Sequence, residues 1–214
     1  VSGRLLKSVA SELGLPDGIP VSYRAGDQPN NALSLNVLNP GEVAATAGTS
    51  GVIYGVTDKK KYDPLSRVNT FLHVNHSHTD TRLGVLLCIN GAGILNSWLR
   101  RNSSVNLSYN EMNQLAEKVA PGSDGLCILP FGNGAERMLG NKDTGARIIG
   151  LNFNTHTNSQ MFRAAQEGIA FSFRYGFDIM KETGIDPQLI RAGETNMFLS
   201  KIFRETLSSI TGTV

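Results

Sequence analysis

The sequence predicts an α/β domain in which helices cover both faces of a mixed β-sheet. Segments with helical periodicity and segments with strand periodicity interleave along all 214 residues, with no low-complexity linker and no internal repeat. Two strand-like runs come first and meet at a small-residue turn, and the later strands alternate with helices. This order favours a mixed sheet over a purely parallel or purely antiparallel one. At 40% hydrophobic and 18% charged residues, the composition is typical of globular proteins.

Six segments show the apolar spacing of helices. The first ends at Gly14, the second has Pro29 in its first turn, and the fourth opens with capping-box spacing from Ser108 to Glu111. The longest carries an apolar stripe that we assign to the core: Phe162, Ala165, Ile169, Phe173 and Phe177. In chain order, the predicted helices cover residues 3–13, 29–38, 91–101, 108–119, 158–181 and 197–208.

The predicted strands are short apolar or alternating runs bounded by glycine, proline or asparagine. They cover residues 19–23, 42–47, 52–56, 70–75, 81–89, 126–131, 148–152 and 189–193. Residues 208–214 are expected to lead from the last helix into the first residues of another strand. The chain begins at Val1, and we expect it to be a piece of a longer protein.

The charge of the chain gives no reason to expect nucleic acid or a membrane as a partner. The formal net charge is +2, and the only dense basic run, at residues 59–61, is expected to be a solvated loop tip. No signal peptide and no long apolar run is present. Cys88 and Cys127 lie in apolar runs, which predicts buried, reduced thiols and a cytoplasmic protein.

Asp27 is the candidate for acid–base chemistry. It follows a predicted strand and precedes Gln28 and Pro29, where a helix begins. A carboxylate held there can accept a proton from a substrate hydroxyl. The alternative is structural, because an aspartate before a helix that opens with proline is a common N-cap. The local sequence leaves both interpretations open.

The turn at residues 48–51 is the candidate phosphate site. Gly48, Thr49, Ser50 and Gly51 offer small side chains, exposed backbone N–H groups and two hydroxyls, all of which suit phosphate oxygens. The alternative is a hairpin turn with no ligand. No Gly-Lys-Ser/Thr sequence of the Walker type occurs.

Two further glycine turns each follow a strand and open a helix. Residues 90–93 read NGAG and residues 192–196 read AGETN. Either turn could bring backbone against a nucleotide, with Asn96 or Asn196 as a hydrogen-bonding side chain. Each could equally need glycine for close packing alone.

Other polar clusters favour structural roles. His73, His76 and His78 stand close together, but no cysteine or carboxylate accompanies them at useful spacing for a metal site. The adjacent charges of Glu136 and Arg137 suggest an internal salt bridge, with a contact to substrate as the alternative. No Gly-x-Ser-x-Gly or Cys-x-x-Cys sequence supports a serine hydrolase or a redox enzyme.

Taken in order, these segments resemble the C-terminal, ATP-binding domain of the FGGY family of carbohydrate kinases, and within it the bacterial xylulokinases. The similarity covers nearly all of the chain. The segments that carry it are residues 14–21, AGDQ at 25–28, AGTSG at 47–51, SRVNTF at 66–71, NGAGILNSW at 90–98, LPFGNGAER at 129–137, EGIAFS at 167–172 and RAG at 191–193.

The resemblance implies an actin-like ATPase fold built on ribonuclease-H-like domains, with ATP and Mg²⁺ as cofactors. Asp27 matches the catalytic base, and Gly48, Thr49 and Ser50 match the turn at the nucleotide phosphates. The remaining matches are to nucleotide-binding positions: Gly91, Asn96, Gly193 and Asn196. No side chain of this chain is expected to bind metal directly.

The resemblance also implies a function. Residues 1–214 would be the nucleotide-binding domain of a sugar kinase, without its N-terminal sugar-binding domain and its final strand and helix. The full-length enzyme would phosphorylate D-xylulose, whereas this fragment would be inactive. Alternatives are a kinase for ribulose, gluconate or glycerol, and an actin-like nucleotide-binding module without sugar chemistry. The expected partners are a xylulose-like sugar and the N-terminal domain, and a homodimer is left open.

Overall fold

The computed structural model describes residues 2–22, 25–103 and 106–213. Its helices are α1 (Lys7–Leu13), α2 (Asp27–Ser34), α3 (Gly93–Asn102), α4 (Tyr109–Glu117), α5 (Asn158–Glu182) and α6 (Lys201–Thr211). Its strands are β1 (Gly3–Arg4), β2 (Pro20–Val21), β3 (Glu42–Ala47), β4 (Gly51–Thr57), β5 (Asn69–Leu72), β6 (Leu83–Ile89), β7 (Cys127–Leu129), β8 (Arg147–Ile149) and β9 (Leu189–Ala192). No helix within these ranges has the length and apolarity needed to cross a membrane.

A five-stranded mixed sheet in the order β5-β6-β4-β3-β9 forms the centre of the domain. Neighbours are antiparallel from β5 to β3, whereas β9 runs parallel to β3, with Ala45 opposite Ala192. The β3–β4 hairpin keeps register up to Ala47 opposite Gly51, so residues 48–50 form its turn. The mixed sheet that the sequence predicts is therefore confirmed.

Helices cover both faces of this sheet, as predicted. On one face α5 buries its whole stripe, and Phe162, Ala165, Ile169, Phe173 and Phe177 are at most 2% exposed. On the opposite face α2 contributes Ala32 to a smaller cluster with Ala44, Tyr54 and Val56. The two remaining strand pairs, β1–β2 and β7–β8, are small two-stranded antiparallel sheets outside the main sheet, and α1 connects β1 to β2.

Both cysteines are exposed, so the prediction of buried thiols was wrong. Successive side chains of β6 point to opposite faces of the sheet, and those of Val85, Leu87 and Ile89 enter the core beneath α5. Cys88 points to the other face, where the small cluster extends only as far as Leu86. Cys127 lies on the open side of the short β7–β8 hairpin, opposite Ile149.

The ends of several elements also differ from the prediction. Residues 3–4 form a strand with β2 instead of the first helical turn, and the last helix starts at Lys201 after a 3-10 turn at Asn196–Leu199. Residues 212–213 do not continue as a strand, because α6 runs to Thr211 and ends at Gly212 with φ of 69°. Tyr23 and Val214, which the predicted strands include, lie outside the described residues.

His73 is a buried core histidine, and both of its ring nitrogens make hydrogen bonds within the fold. Its Nε2–H donates to the Val37 carbonyl at 3.0 Å, and its Nδ1 accepts from the Tyr54 hydroxyl at 3.0 Å. Burial lowers the pKa of His73 below the usual 6.5, and the charge of Arg82 adds to this, while the bond to Val37 opposes it. The neutral imidazole is therefore the form that the fold prefers.

This burial makes stability depend on pH. Because the folded-state pKa is lowered, the contribution of His73 is complete above about pH 6.5 and is lost as the pH falls below that value. The difference in free energy of unfolding between wild type and His73→Gln should therefore shrink from pH 7.5 to pH 5. Urea titrations at four pH values measure it, and a constant difference would rule out the neutral buried imidazole.

Candidate functional site

The turn between β3 and β4 is docked on the N-terminus of α3. The N-cap of α3 is Ala92, whose side chain cannot cap the helix. Instead, the N–H groups of Gly93 and Ile94 donate to the carbonyls of Gly48 and Thr49 at 2.9 and 3.0 Å. The turn thus satisfies helix donors that would otherwise lack a partner.

This docking fixes where the N–H groups of the turn point. In a trans peptide the carbonyl and the following N–H point in opposite directions, and the described residues contain no cis bond. Since the carbonyls of Gly48 and Thr49 face α3, the N–H groups of Thr49 and Ser50 face away from it. Neither N–H donates a hydrogen bond to any group in the described ranges. Two adjacent free amides are the donors that a phosphate needs.

A cavity of about 540 Å³ opens beside this turn. Four residues predicted from the sequence line it: Gly48, Thr49, Asn96 and Asn196. They come from the β3–β4 turn, from α3 and from the 3-10 turn after β9, so the fold brings together positions almost 150 residues apart. The volume is within the range of small-molecule sites.

Asn96 carries the clearest sign that the cavity accepts a polar ligand. The residue is only 6% exposed, and its Oδ1 has no hydrogen-bond partner among the described residues. An unpaired buried carbonyl costs about 1–3 kcal/mol, so native proteins rarely keep one without a use. A ligand that donates a hydrogen bond inside the cavity would satisfy it.

The cavity also has walls that the sequence did not reveal. Most of them come from α4 and from the end of the 3-10 turn: Tyr109, Asn110, Asn113, Leu199 and Ser200. Behind this wall Gln166 is fully buried, donates to Asn113 Oδ1 at 3.0 Å and accepts from Ser200 Oγ at 2.5 Å. The clustering of asparagines near the capping box of α4 was the only sequence signal that could have indicated them.

Three other predicted nucleotide residues lie beside the cavity without lining it. A Cβ on Gly91 would come within 1.9 Å of the Pro130 carbonyl oxygen, so close backbone contact explains this glycine. Gly193 lies in a neighbouring cavity of about 280 Å³, and Ser50 completes the turn. A nucleotide contact at these three positions stays a prediction.

Asp27 is the first residue of α2, and the residue at the N-cap position is Gly26. The N-cap alternative is therefore not what the structure shows. The exposed carboxylate accepts the Gln28 N–H at 2.9 Å, and Gln28 Nε2 lies 3.4 Å from its other oxygen. Gln28 Oε1 has no partner among the described residues, which sequence reasoning did not anticipate.

Glu136 and Arg137 do not bond to each other, so the predicted salt bridge between them was wrong. Arg137 donates to the Val68 carbonyl and to Asn69 Oδ1. Glu136 is fully buried and accepts the N–H groups of Asn90 and Gly91 at 3.0 and 2.8 Å. Burial raises the pKa of Glu136, and the two N–H bonds oppose that shift. Glu136 has an extended backbone and Arg137 begins a 3-10 turn, and the two side chains bond to different segments.

The charges of Asp27, Glu136 and Arg137 all act on the thiol of Cys88. The pKa of the Cys88 thiol is raised, first by desolvation, and the charges of Asp27 and Glu136 add to this while Arg137 opposes it. The charges of Asp27 and Glu136 thus both reach the Cys88 thiol. In the described ranges no group of three His, Cys, Asp or Glu side chains could hold a metal ion.

Residues 43–213 match the family model of the FGGY family of carbohydrate kinases, C-terminal domain. The chain belongs to this family. Residues 2–42, which include Asp27, precede the matched region. The cavity and the β3–β4 turn lie wholly within it.

Relatives of this family member include kinases for different substrates. It is 28% identical over 210 residues to a xylulose kinase of Haemophilus influenzae, covering 97% of this chain and 41% of the relative. It is 29% identical over 213 residues to a gluconokinase of Bacillus subtilis, covering 94% and 40%. The chain thus spans about two fifths of the length of these relatives.

A solved structure confirms the fold of this FGGY domain. The crystal structure of a xylulose kinase from Rhodospirillum rubrum aligns with a TM-score of 0.86 at 25% identity, covering 100% of this chain and 42% of that one. The predicted actin-like ATPase fold is therefore confirmed.

Asn96 gives a prediction that separates ligand binding from stability. Asn96→Leu removes the unpaired carbonyl and should raise the free energy of unfolding by about 1 kcal/mol without nucleotide. The same change should weaken nucleotide binding about tenfold. Asn113→Leu is a control for stability alone, because it leaves the buried Gln166 amide without its acceptor and should lower stability by about 1–3 kcal/mol. Denaturant titration and calorimetric titration with ADP measure both quantities, and tighter nucleotide binding by Asn96→Leu would contradict a role for this side chain.

Proposed function

We propose that the full-length protein carrying this chain is an ATP-dependent sugar kinase and that D-xylulose is its substrate. The single observation that carries the proposal is the pair of free amides at Thr49 and Ser50 beside a cavity with an unpaired Asn96 carbonyl. The amides supply donors for phosphate, and the cavity has room for a nucleoside. Membership of a carbohydrate kinase family supports this reading.

Asp27 has the chemistry of the general base. The hydroxyl oxygen of the sugar forms a bond to the γ-phosphorus of ATP, the bond from that phosphorus to the bridging oxygen breaks, and ADP leaves. Asp27 takes the proton of the hydroxyl as the new bond forms. The Gln28 N–H on one carboxylate oxygen fixes the group and leaves acceptor capacity on the other.

The nucleotide would be held mainly by backbone. The amides of Thr49 and Ser50 would meet phosphate oxygens, whereas Asn96 and Asn196 would meet the nucleoside. Mg²⁺, when bound to ATP, offsets phosphate charge. Magnesium commonly binds through phosphate oxygens and water, which fits a site without a carboxylate cluster in the described ranges.

A further domain of the same polypeptide is the second part of the proposal. The segment before α2 exposes a set of large apolar side chains that a stable protein would cover: Leu6 at 68%, Leu13 at 59%, Leu15 at 48%, Ile19 at 37% and Val21 at 42%. The relatives are more than twice as long as this chain. An N-terminal sugar-binding domain resting on this surface would bring a sugar to Asp27.

The choice of sugar rests on similarity alone. Xylulose kinases are among the relatives and structural neighbours, but a gluconokinase matches nearly as well. The deciding experiment is an ADP-release assay on the full-length protein with ATP and Mg²⁺, comparing D-xylulose, L-ribulose, gluconate and glycerol. Strong stimulation by D-xylulose alone supports the proposal. Stimulation by another compound corrects the substrate, and no stimulation by any would overturn the kinase assignment in favour of a nucleotide-binding module.

A further inference from the structure

The loop that carries Glu136 clamps the junction between β6 and α3. The Glu136 carboxylate accepts the N–H groups of Asn90 and Gly91 at 3.0 and 2.8 Å. In addition, Asn90 Nδ2 donates to the Ala135 carbonyl at 2.7 Å, and Asn133 Nδ2 donates to the Asn90 carbonyl at 2.9 Å. Four hydrogen bonds therefore hold two residues, and none of them belongs to a helix or strand.

The chemistry of Glu136 is costly for a purely structural contact. The residue is 0% exposed, and no cation forms an ion pair with it among the described residues. Burying a carboxylate without a cation is unfavourable unless strong hydrogen bonds compensate. Among the described residues, the hydrogen bonds that its carboxylate accepts come from two N–H donors, and both belong to the junction that precedes α3.

The clamped junction is connected to the candidate phosphate turn through the first residues of α3. Gly91 is followed by Ala92, the N-cap of α3, and the next two N–H groups hold the carbonyls of Gly48 and Thr49. The close approach of Gly91 to the Pro130 carbonyl restricts the junction from the other side. A shift of the junction would thus be transmitted to the turn through these short, direct bonds.

We infer that Glu136 is a positioning residue whose grip on Asn90 and Gly91 sets the direction of the Thr49 and Ser50 amides. That the ligand is a nucleotide rests on the proposed function. The geometry rests on the hydrogen bonds described above. Glu136 itself touches no substrate. Its effect reaches the nucleotide through α3 and the β3–β4 turn.

The test compares Glu136→Gln with Glu167→Gln in the full-length protein. Glu167 is the control, since it is also buried and accepts from a loop, through the Gly122 N–H at 3.0 Å and Ser123 Oγ at 2.9 Å. It differs from Glu136 in that Arg163 forms an ion pair with it at 2.8 Å. An amide at position 136 turns a donor toward one of the two N–H groups, so at least one bond is lost. We expect a KM for ATP about tenfold higher in Glu136→Gln, with the KM for sugar within about twofold of wild type. Glu167→Gln should leave both values unchanged.

Amide hydrogen exchange gives a readout that is independent of activity. In Glu136→Gln the segment at residues 91–95 should exchange at least about tenfold faster than in wild type, and in Glu167→Gln it should not. If the wild type consumes no ATP with any sugar, the proposed function fails, and the exchange data still decide whether Glu136 fixes this segment. Unchanged exchange and unchanged KM for ATP in a folded Glu136→Gln would overturn the inference.

A milder variant covers the case in which Glu136→Gln does not fold. Asn133→Ala removes one clamp bond, at a partly exposed residue, and leaves the carboxylate in place. We expect it to raise the KM for ATP about fivefold, in line with the loss of one hydrogen bond. A KM for ATP equal to that of wild type, together with unchanged exchange at residues 91–95, would count against the clamp.

Discussion

Replacing Asp27 by asparagine in the full-length protein is expected, under the proposed function, to lower kcat by about 10²–10⁴-fold, which is the range that positioned acid–base groups contribute. An amide cannot take the proton of the attacking hydroxyl, yet its oxygen can still accept the Gln28 N–H. Nucleotide affinity should stay within about twofold of wild type, because Asp27 lies outside the cavity beside the turn. Steady-state kinetics and calorimetric titration with ADP measure the two quantities.

Asp58→Asn is the control for this change. It also removes one exposed carboxylate, but at a surface loop where Asp58 faces Lys59 at 3.4 Å. Its kcat and nucleotide affinity should equal those of wild type. If Asp27→Asn kept near-normal turnover while binding nucleotide, another group would have to be the base.

Gly93→Ala is expected to give the second large effect, a loss of nucleotide affinity of about 100-fold. A Cβ at this position would lie 2.3 Å from the Gly48 carbonyl oxygen and 3.0 Å from its carbon. The turn would have to move away from α3, breaking the bonds that now direct the Thr49 and Ser50 amides. Overpacking of this kind also destabilises, by about 1–3 kcal/mol.

Calorimetric titration with ADP and thermal unfolding separate these two effects. Gly3→Ala is the control, because a Cβ there meets nothing within 4 Å, and its nucleotide affinity should not change. A folded Gly93→Ala variant with wild-type affinity for ADP would show that the docking of the turn on α3 is not what shapes the phosphate site.

The sequence predicted those elements whose apolar pattern lies within one segment and extends over many residues. Helix α5 was predicted to within one residue, since a stripe of apolar residues at helical spacing over about four turns is typical of a long amphipathic helix. The β3–β4 hairpin was equally clear, because a glycine-rich turn joins two apolar runs. The prediction that Cys88 is buried was wrong because an apolar run does not show which face of the sheet is covered near the end of the strand.

The candidate site was predicted only in part, because half of it depends on contacts between distant segments. Gly48, Thr49, Asn96 and Asn196 follow strand ends, where ligands gather in open α/β sheets. The wall from α4 and the role of Glu136 were missed. Glu136 bonds to residues 45 and 46 positions away, and adjacency to Arg137 suggested a nearer partner that the backbone keeps apart.

The most direct test of the account is a crystal structure of the full-length protein with ADP and Mg²⁺. We expect phosphate oxygens about 2.7–3.2 Å from the backbone nitrogens of Thr49 and Ser50, and a hydrogen-bond donor of the nucleotide on Asn96 Oδ1. ADP bound at another place, with the turn amides still free and the Asn96 carbonyl still unpaired, would contradict it.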